Sequence, residues 1–564
     1  MSSALLTLIS LALLALGYYF YGRLVERRCV EPDAEAETPA VELRDGIDYE
    51  PARPLMLFGH HFTNIAGAGP IVGPVIAVAY FGWASTLGWI ILGTIFIGGV
   101  HDYLSLMVSA RNDGKSISDI AGRLVGRRAA VVMGLFLWLA LILIIAMFTI
   151  LAAQTLITAP SVVIPNAGLL VVAMFIGVAI YRWRQPLWQM TILGALLLAL
   201  LLWAGQTWPL ELPASWGEGT VFQVWFGVLA LYCLLVSVLP IWFLEQPRDY
   251  LSSMIMVFGI GVGFVAIFVA NAPVRAPAHV ALVTEKGPLW PMLFILVACG
   301  AVSGFHSLVA GGTTVKQLAD ERQGLPIAFG SMVMEAAQAV SVVFLVGAGL
   351  YWIGSHLGPD GNSLNLRAII ELETGGGPAV AFIRGFANLT HQALPFVPFA
   401  TGVLLAAIVL NATLLDTLDT CTRLGRFVLT ETFGERVTPL QNRWLASIIT
   451  VLPAVYLGLS GAGKFLWPVF GAANQLIAAL AFLVIAVYLV GVARPTSYVI
   501  VPGLFVLVTT IGALIYQAYG LLLGASPNYV LGGICVVLIG LAVYVSMEAV
   551  PRLRRTRERE RAAM

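Results

Sequence analysis

Histidines and carboxylates inside long apolar runs are the residues of this sequence best suited to chemistry. His60 and His61 stand in FGHHFTNIAGAGPIVGP (58–74), followed by Thr63 and Asn64. His306 stands in ACGAVSGFHSLVAGGTT (298–314), among Ser303, Ser307, Thr313 and Thr314. Asp102 follows His101 in another run, Glu335 has Gln338 one turn on, and Asp416 belongs to NATLLDTLDTCTRLGRF (411–427). An ionisable group in hydrocarbon is costly, so it pairs, takes a proton or faces a wet cavity, and it points to a substrate or ion path. Imidazole titrates near physiological pH. A carboxyl that changes protonation with exposure would couple transport to a proton gradient. The same groups also suit fixed roles: a helix–helix hydrogen bond for His306, a histidine partner for Asp102, snorkelling for Glu335.

Two of these passages echo each other. Thr63 aligns with Ser307, Ile65 with Val309, Ala66 with Ala310, Gly67 with Gly311 and Ala68 with Gly312, all at an offset of 244. The first also carries Gly59, Gly69, Pro70, Gly73 and Pro74. Proline removes a donor from the helix ladder and glycine admits non-helical backbone. Both passages therefore predict helices interrupted at membrane depth, which is tolerated where they line a site. Freed amides would hold a carboxylate and freed carbonyls a cation, so the half-helix ends near 64–69 and 307–312 are the expected contacts. The substrate-binding candidates are His60, His61, Thr63, Asn64, Gly67, Gly69, Ser303, His306, Ser307 and Gly311. The coupling candidates are Asp102, Glu335, Thr413, Asp416, Thr417 and Thr420, and the last four share a face by their helical spacing. Ordinary helix packing uses glycine and proline too, and hydroxyls satisfy themselves on backbone carbonyls.

These side chains need elements to hold them. The 564 residues are 59% hydrophobic and 11% charged, with a mean hydropathy of +0.90. A soluble domain carries about 25% charged residues. The fold class expected is an all-α polytopic membrane protein, because the apolar runs have helix-spanning length and lack the alternation of a barrel strand. The runs lie near 3–22, 57–80, 83–109, 130–158, 166–182, 187–204, 220–240, 251–271, 290–313, 327–352, 396–415, 443–460, 465–492, 497–519 and 528–548. They number about fifteen, or up to about seventeen with segments such as 379–394, a possible re-entrant element. Lys and Arg collect in alternate loops, among them 110–129, 182–186 and the tail 552–561, while 205–219 and 520–527 have none. The positive-inside rule then sets the N-terminus outside and the C-terminus in the cytoplasm. Seven runs separate the starts of the two echoed passages, an odd number, so they enter from opposite faces as an inverted repeat. The organisation expected is an uncleaved N-terminal transmembrane helix (1–22), a flexible acidic cytoplasmic loop (23–53), a first repeat with inserted helices (54–271), a second repeat (290–495), C-terminal helices (496–548) and a basic cytoplasmic tail (549–564).

Other motifs bear on positioning. WFLEQPRDYL (242–251) reads as a structured gate or hinge, and Asn474-Gln475 in WPVFGAANQL (467–476) as helix–helix glue. Asp419 and Arg423 are spaced to pair along one helix. The five cysteines form no CxxC, so neither a disulfide framework nor a zinc site is indicated. There is no HExxH or GxSxG, and DGKS (113–116) has Ser109 where a P-loop needs its first glycine. No cofactor, metal or nucleic-acid partner is expected. The partners expected are a small-molecule substrate, a coupling ion and the lipid bilayer.

FGHHFTNIAGAGPIVGP, HDYLSLMVSARNDGKSISD (101–119), LPIWFLEQPRDYL (239–251), ACGAVSGFHSLVAGGTTVKQL (298–318), MVMEA (332–336), LDTLDTCTRLGRF (415–427) and WPVFGAANQL resemble the carbon starvation protein CstA family, over residues 55–495. The resemblance implies an inner-membrane transporter of the amino acid–polyamine–organocation superfamily. It implies a LeuT-like inverted-repeat fold with discontinuous helices at 57–80 and 290–313. It further implies uptake of peptides during carbon starvation or proton-driven uptake of pyruvate. It places His60, His61, Gly67, Gly69, Asp102, His306, Glu335 and Asp416 on the family's signature positions. By fold analogy, hydroxyls such as Thr413, Thr417 and Thr420 would serve a sodium site. Some relatives carry Gln in place of His101, and others have small apolar residues where Thr63-Asn64 stand. The function expected is a secondary active importer of a small carboxylate nutrient, coupled to H⁺. The alternatives are a sodium-coupled amino-acid or peptide transporter, a channel, or an intramembrane enzyme, for which no nucleophile–base motif is present.

Overall fold

Local sequence explains how the first broken passage is built. Pro54 opens a helix, a position that needs no N–H. That helix ends at Ile65, because Ala66 leaves helical geometry at φ −84°, ψ 52°. A second helix starts at Gly69-Pro70, and the two meet at 42°. The computed structural model describes residues 1–46, 49–350, 366, 370, 377–434, 436–461, 463–525 and 527–563.

The helices that position the site are α1 (Ser3–Val30), α2 (Pro54–Ile65), α3 (Gly69–Phe81), α4 (Trp83–Ala110), α5 (Arg127–Thr158), α6 (Pro160–Tyr181), α7 (Leu187–Thr207), α8 (Glu218–Val236) and α9 (Glu245–Ala270). They continue as α10 (Leu289–Leu296), α11 (Phe305–Val309), α12 (Glu321–Gly349), α13 (Pro378–Ala393), α14 (Phe399–Phe433), α15 (Arg443–Leu459), α16 (Gly463–Gly491), α17 (Ser497–Leu523) and α18 (Tyr529–Ala563). Among the described residues twelve helices are long and apolar enough to cross a membrane, or thirteen with the bent pair α2–α3 as one span. All fifteen expected runs contain helix, but 290–313 is in pieces and α15 is only 17 residues long. Segment 379–394 forms the 16-residue α13, packed against α9, α12 and α14. The strands are a two-residue hairpin, with Val283 opposite Pro288 and Thr284 opposite Gly287.

The second break lies elsewhere than the echo predicts. Residues 297–304 are non-helical, whereas 305–309 are α-helical and Ala310–Thr314 form a π turn. Gly311 and Gly312 therefore sit inside helical structure, and no half-helix end occurs at 307–312. Their small size serves packing: a methyl on Gly311 would lie 3.3 Å from the Ser109 hydroxyl, and one on Gly312 would strike Leu424.

Contacts sort the loops onto two faces. On one, the Ser3 amide donates to the Ala272 carbonyl (3.2 Å) and the Trp83 amide to that of Pro277 (3.1 Å). On the other, the amides of Glu50 and Ala52 donate to the Lys316 and Gln317 carbonyls (both 3.0 Å). Arg111 pairs there with Glu321 (2.9 Å) and Arg494 with Glu31 (2.6 Å). The Arg494 guanidinium holds the Glu31 carboxyl below its usual range. The acidic segment expected to be a loose strap is thus fastened along 315–321, because unpaired amides and carboxylates find partners there.

At the second break Gly304 lies against the backbone of Asn474 and Ala478 on α16, with no room for a methyl. Gly304→Ala should cost about 1–3 kcal/mol, as overpacking does. A thermal-shift measurement in detergent checks this against Gly261→Ala, where nothing lies within 4 Å.

Candidate functional site

Two buried polar networks meet at the broken helices. The first joins α4, α11 and α12. Asp102 is held between two imidazoles, by His101 Nδ1 at 2.9 Å and by His306 Nδ1 at 2.7 Å. The far nitrogen of His306 lies 3.4 Å from Glu335 Oε2. All three of Asp102, His306 and Glu335 have 0% exposure, so Glu335 does not snorkel. Beside them His61 Nδ1 pairs with the Thr314 hydroxyl at 2.8 Å. The result is a row of carboxyl, imidazole and carboxyl across three separate elements, hydrogen-bonded from Asp102 to His306 but with no hydrogen bond made between His306 and Glu335. Ionisable groups brought together at this depth suit holding a proton.

The second network joins α2, α8, α9 and α14. Arg248 reaches Asp416 (2.7 Å), Asp249 (3.2 Å) and Asp419. Tyr232 donates to Asp419 Oδ2 at 2.7 Å, and Ser252 donates to Asp416 Oδ1 at 3.2 Å. From α2, His60 Nδ1 pairs with Asp249 Oδ2 at 2.8 Å. Asn64 donates to the same oxygen at 2.8 Å and accepts from Thr420 on α14. Asp419 and Arg423 do not pair along their helix. Asp419 turns to Arg248, while Arg423 donates to Glu245 (2.8 Å) and to the Leu239 carbonyl (2.7 Å). A low-dielectric interior favours multidentate partners over a single exposed-type pair.

The hydroxyl candidates divide. Thr420 and Ser303 make cross-helix contacts, Ser303 through Asn474 at 3.0 Å. Thr63, Ser307, Thr413 and Thr417 donate to carbonyls of their own chain segment: Gly59 (3.0 Å), Gly304 (2.7 Å), Leu410 (2.8 Å) and Thr413 (3.0 Å). The amides freed at the second break are taken as well. Asn474 accepts from Phe305 N–H at 2.8 Å through its side chain and from Gly304 N–H at 3.1 Å through its backbone. This glue residue thus creates the cap of α11, and those two amides are not free for a carboxylate. At the first break Gly67 faces Thr417 and Phe148, and Gly69 packs on Cys299.

A cavity of about 620 Å³ lies beyond both breaks, on the face that carries the N-terminus. Val72 and Val75 of α3, Leu296 of α10, Gln154 of α5, Trp467 of α16 and Lys286 line it. None of the candidate polar residues does. Sequence reasoning singled out 242–251 but missed that Arg248, Asp249 and Asp419 form one network with His60. The available signal was an Arg-Asp pair flanked by apolar spans.

Residues 2–355 and 363–513 match the family described as carbon starvation protein CstA. The chain belongs to the CstA family. The peptide transporter CstA of Campylobacter jejuni is 32% identical over 90% of this chain and 79% of its own length. The pyruvate/proton symporter BtsT of Escherichia coli is 28% identical over 90% of this chain and 80% of its own. Among solved structures, a manganese transporter of Eremococcus coleocola superposes with a TM-score of 0.51 at 12% identity, covering 91% of this chain and 99% of that one. MhsT in complex with L-phenylalanine gives 0.50 at 13%, covering 88% and 99%. These neighbours show the fold alone, a polytopic helical bundle of the LeuT type. It is membership of the CstA family that makes the chain a multi-pass membrane transporter.

In this CstA-family protein the buried Arg248 guanidinium is shared by three carboxylates. Arg248→Met should destabilise by about 3–5 kcal/mol, the cost of stranding buried charge. Combining it with Asp416→Asn and Asp419→Asn should recover part of the loss. Melting temperatures of the purified variants check both outcomes.

Proposed function

We propose that the chain imports a small carboxylate, pyruvate or a short peptide, across the inner membrane by proton symport with alternating access. The line Asp102–His306–Glu335 carries this reading. His306 belongs to the half-helix after the second break, Asp102 and Glu335 to the helices that follow each broken passage. Rocking α11 against α4 and α12 would part the line and expose its ends to different faces in turn. The names of the Campylobacter jejuni and Escherichia coli relatives, a peptide transporter and a pyruvate/proton symporter, support the substrate class and the proton.

In this reading 54–271 and 290–495 are inverted repeats with discontinuous helices at 57–80 and 290–313. They belong to a set of about fifteen to seventeen spans. The N-terminal helix 1–22 begins outside, and 23–53 and the basic tail 549–564 lie in the cytoplasm. The helices of 496–548 pack against α16 on the periphery. The substrate carboxylate is assigned to the first break, Asn64–Gly69, with His61, Thr63 and Ser303 nearby. Sodium coupling is disfavoured, since Thr413 and Thr417 donate to their own helix and a guanidinium already sits on Asp416.

Proteoliposomes test the proposal. Saturable counterflow of labelled pyruvate or dialanine, with accumulation driven by an inward proton gradient, is the expected result. Unsaturable conductive flux would mark a channel, and accumulation that follows Na⁺ alone would overturn proton symport. Glu335→Gln should lower steady-state accumulation about tenfold at a gradient of one pH unit, the work of one proton. Unchanged accumulation removes Glu335 from the mechanism.

A further inference from the structure

The network around Arg248 holds more carboxylates than cations. Glu245 is matched by Arg423 at 2.8 Å, so that pair is closed. Among the described residues Arg248 is the one Arg or Lys paired with Asp249, Asp416 and Asp419, and none of the four is more than 1% exposed. Its Nη2 nitrogen is shared by Asp416 Oδ1 at 2.7 Å and Asp249 Oδ1 at 3.2 Å, while Nη1 goes to Asp419 Oδ2. The other ionisable groups facing the cluster are His60 on α2, Tyr232 and Cys233 on α8, and Cys421 on α14. The phenol and the thiols are neutral at ordinary pH.

Fully ionised, the three aspartates and Arg248 would leave two negative charges within the helix bundle. One would remain even with His60 as imidazolium. Uncompensated buried charge is relieved by protonation, and two carboxylates that crowd one nitrogen share a proton for the same reason. Asp416 Oδ2 and Asp419 Oδ1 are buried and accept no hydrogen bond among the described residues, so each has room for a proton. No group of histidine, cysteine and carboxylate side chains among the described residues is arranged to hold a metal ion instead.

We infer that the Arg248 centre is a second proton-binding site, separate from the Asp102–His306–Glu335 line, and that it is loaded while α2 rests against α9 and α14. The half-helix α2 closes the centre: His60 and Asn64 both cover Asp249 Oδ2, and Asn64 bridges on to Thr420. Withdrawal of α2 removes those contacts and admits water. The carboxyls then ionise and the proton leaves on the side to which α2 opens. Occupancy is thereby tied to the position of the first broken passage. The inference deepens the proton-coupled reading and rests on it for the claim that these protons do transport work.

Steady-state accumulation of pyruvate in proteoliposomes tests it, because that ratio does not depend on how much protein is active. At an inward gradient of one pH unit, Asp416→Asn should lower the ratio about tenfold, the loss of one proton per cycle. Adding Glu335→Gln should lower it about tenfold again. A wild-type ratio in Asp416→Asn overturns the second site and leaves the Glu335 reading intact. A loss in Asp416→Asn with none in Glu335→Gln does the reverse. If Asp416→Asn does not transport, infrared difference spectra decide. A carboxylic-acid carbonyl band should persist in Asp102→Asn/Glu335→Gln and weaken when Asp416→Asn is added. Absence of that band in Asp102→Asn/Glu335→Gln would overturn the inference.

Discussion

Hydrocarbon cannot solvate a polar group, so most of those inside this protein find a partner in the protein itself. Some, Glu335 and one oxygen each of Asp416 and Asp419 among them, accept no hydrogen bond among the described residues. The helix breaks and the two buried networks answer to that constraint. The helix breaks at 66–68 and 297–304 free backbone amides, and the chain satisfies them locally. Gly67 N–H turns back on the Ile65 carbonyl at 3.0 Å, and Asn474 on α16 collects the amides of Gly304 and Phe305. A break in lipid without such a partner would cost several kcal/mol per group.

The same constraint concentrates charge. Two Arg and four carboxylates lie together on α9 and α14, and a carboxyl–imidazole–carboxyl line joins α4, α11 and α12. Each network draws members from a broken passage: His60 and Asn64 from α2, His306 from α11.

The two faces differ in how their loops and helix ends are held. The acidic segment after α1 is stitched to residues 316–321, immediately beyond the π turn that ends the second broken passage. The cavity beyond the breaks on the opposite face is walled mainly by apolar side chains, with Lys286 over the ring of Tyr80 at 5.3 Å. One face is fastened by hydrogen bonds between loops, while the cavity on the other reaches Val72 and Leu296.

Sequence alone determined the all-helical, membrane-spanning class and the family. Apolar run length, loop charge and the Gly-Pro breaks are local properties, and the family motifs sit on the residues that later proved buried and paired. Asp102, His306, Glu335 and Asp416 were legible because a charge in an apolar run is conspicuous in one dimension. Only the tertiary structure decided who pairs with whom. The Asp419–Arg423 spacing suited a helical pair, yet Asp419 took Arg248 and Arg423 took Glu245. The echoed glycines at 311–312 suited a break, yet the break fell earlier, where Asn474 could cap it. Helical periodicity depends on neighbours along the chain. The partner of a buried charge depends on which helices cross and how closely, and that information is written in packing rather than in any single segment.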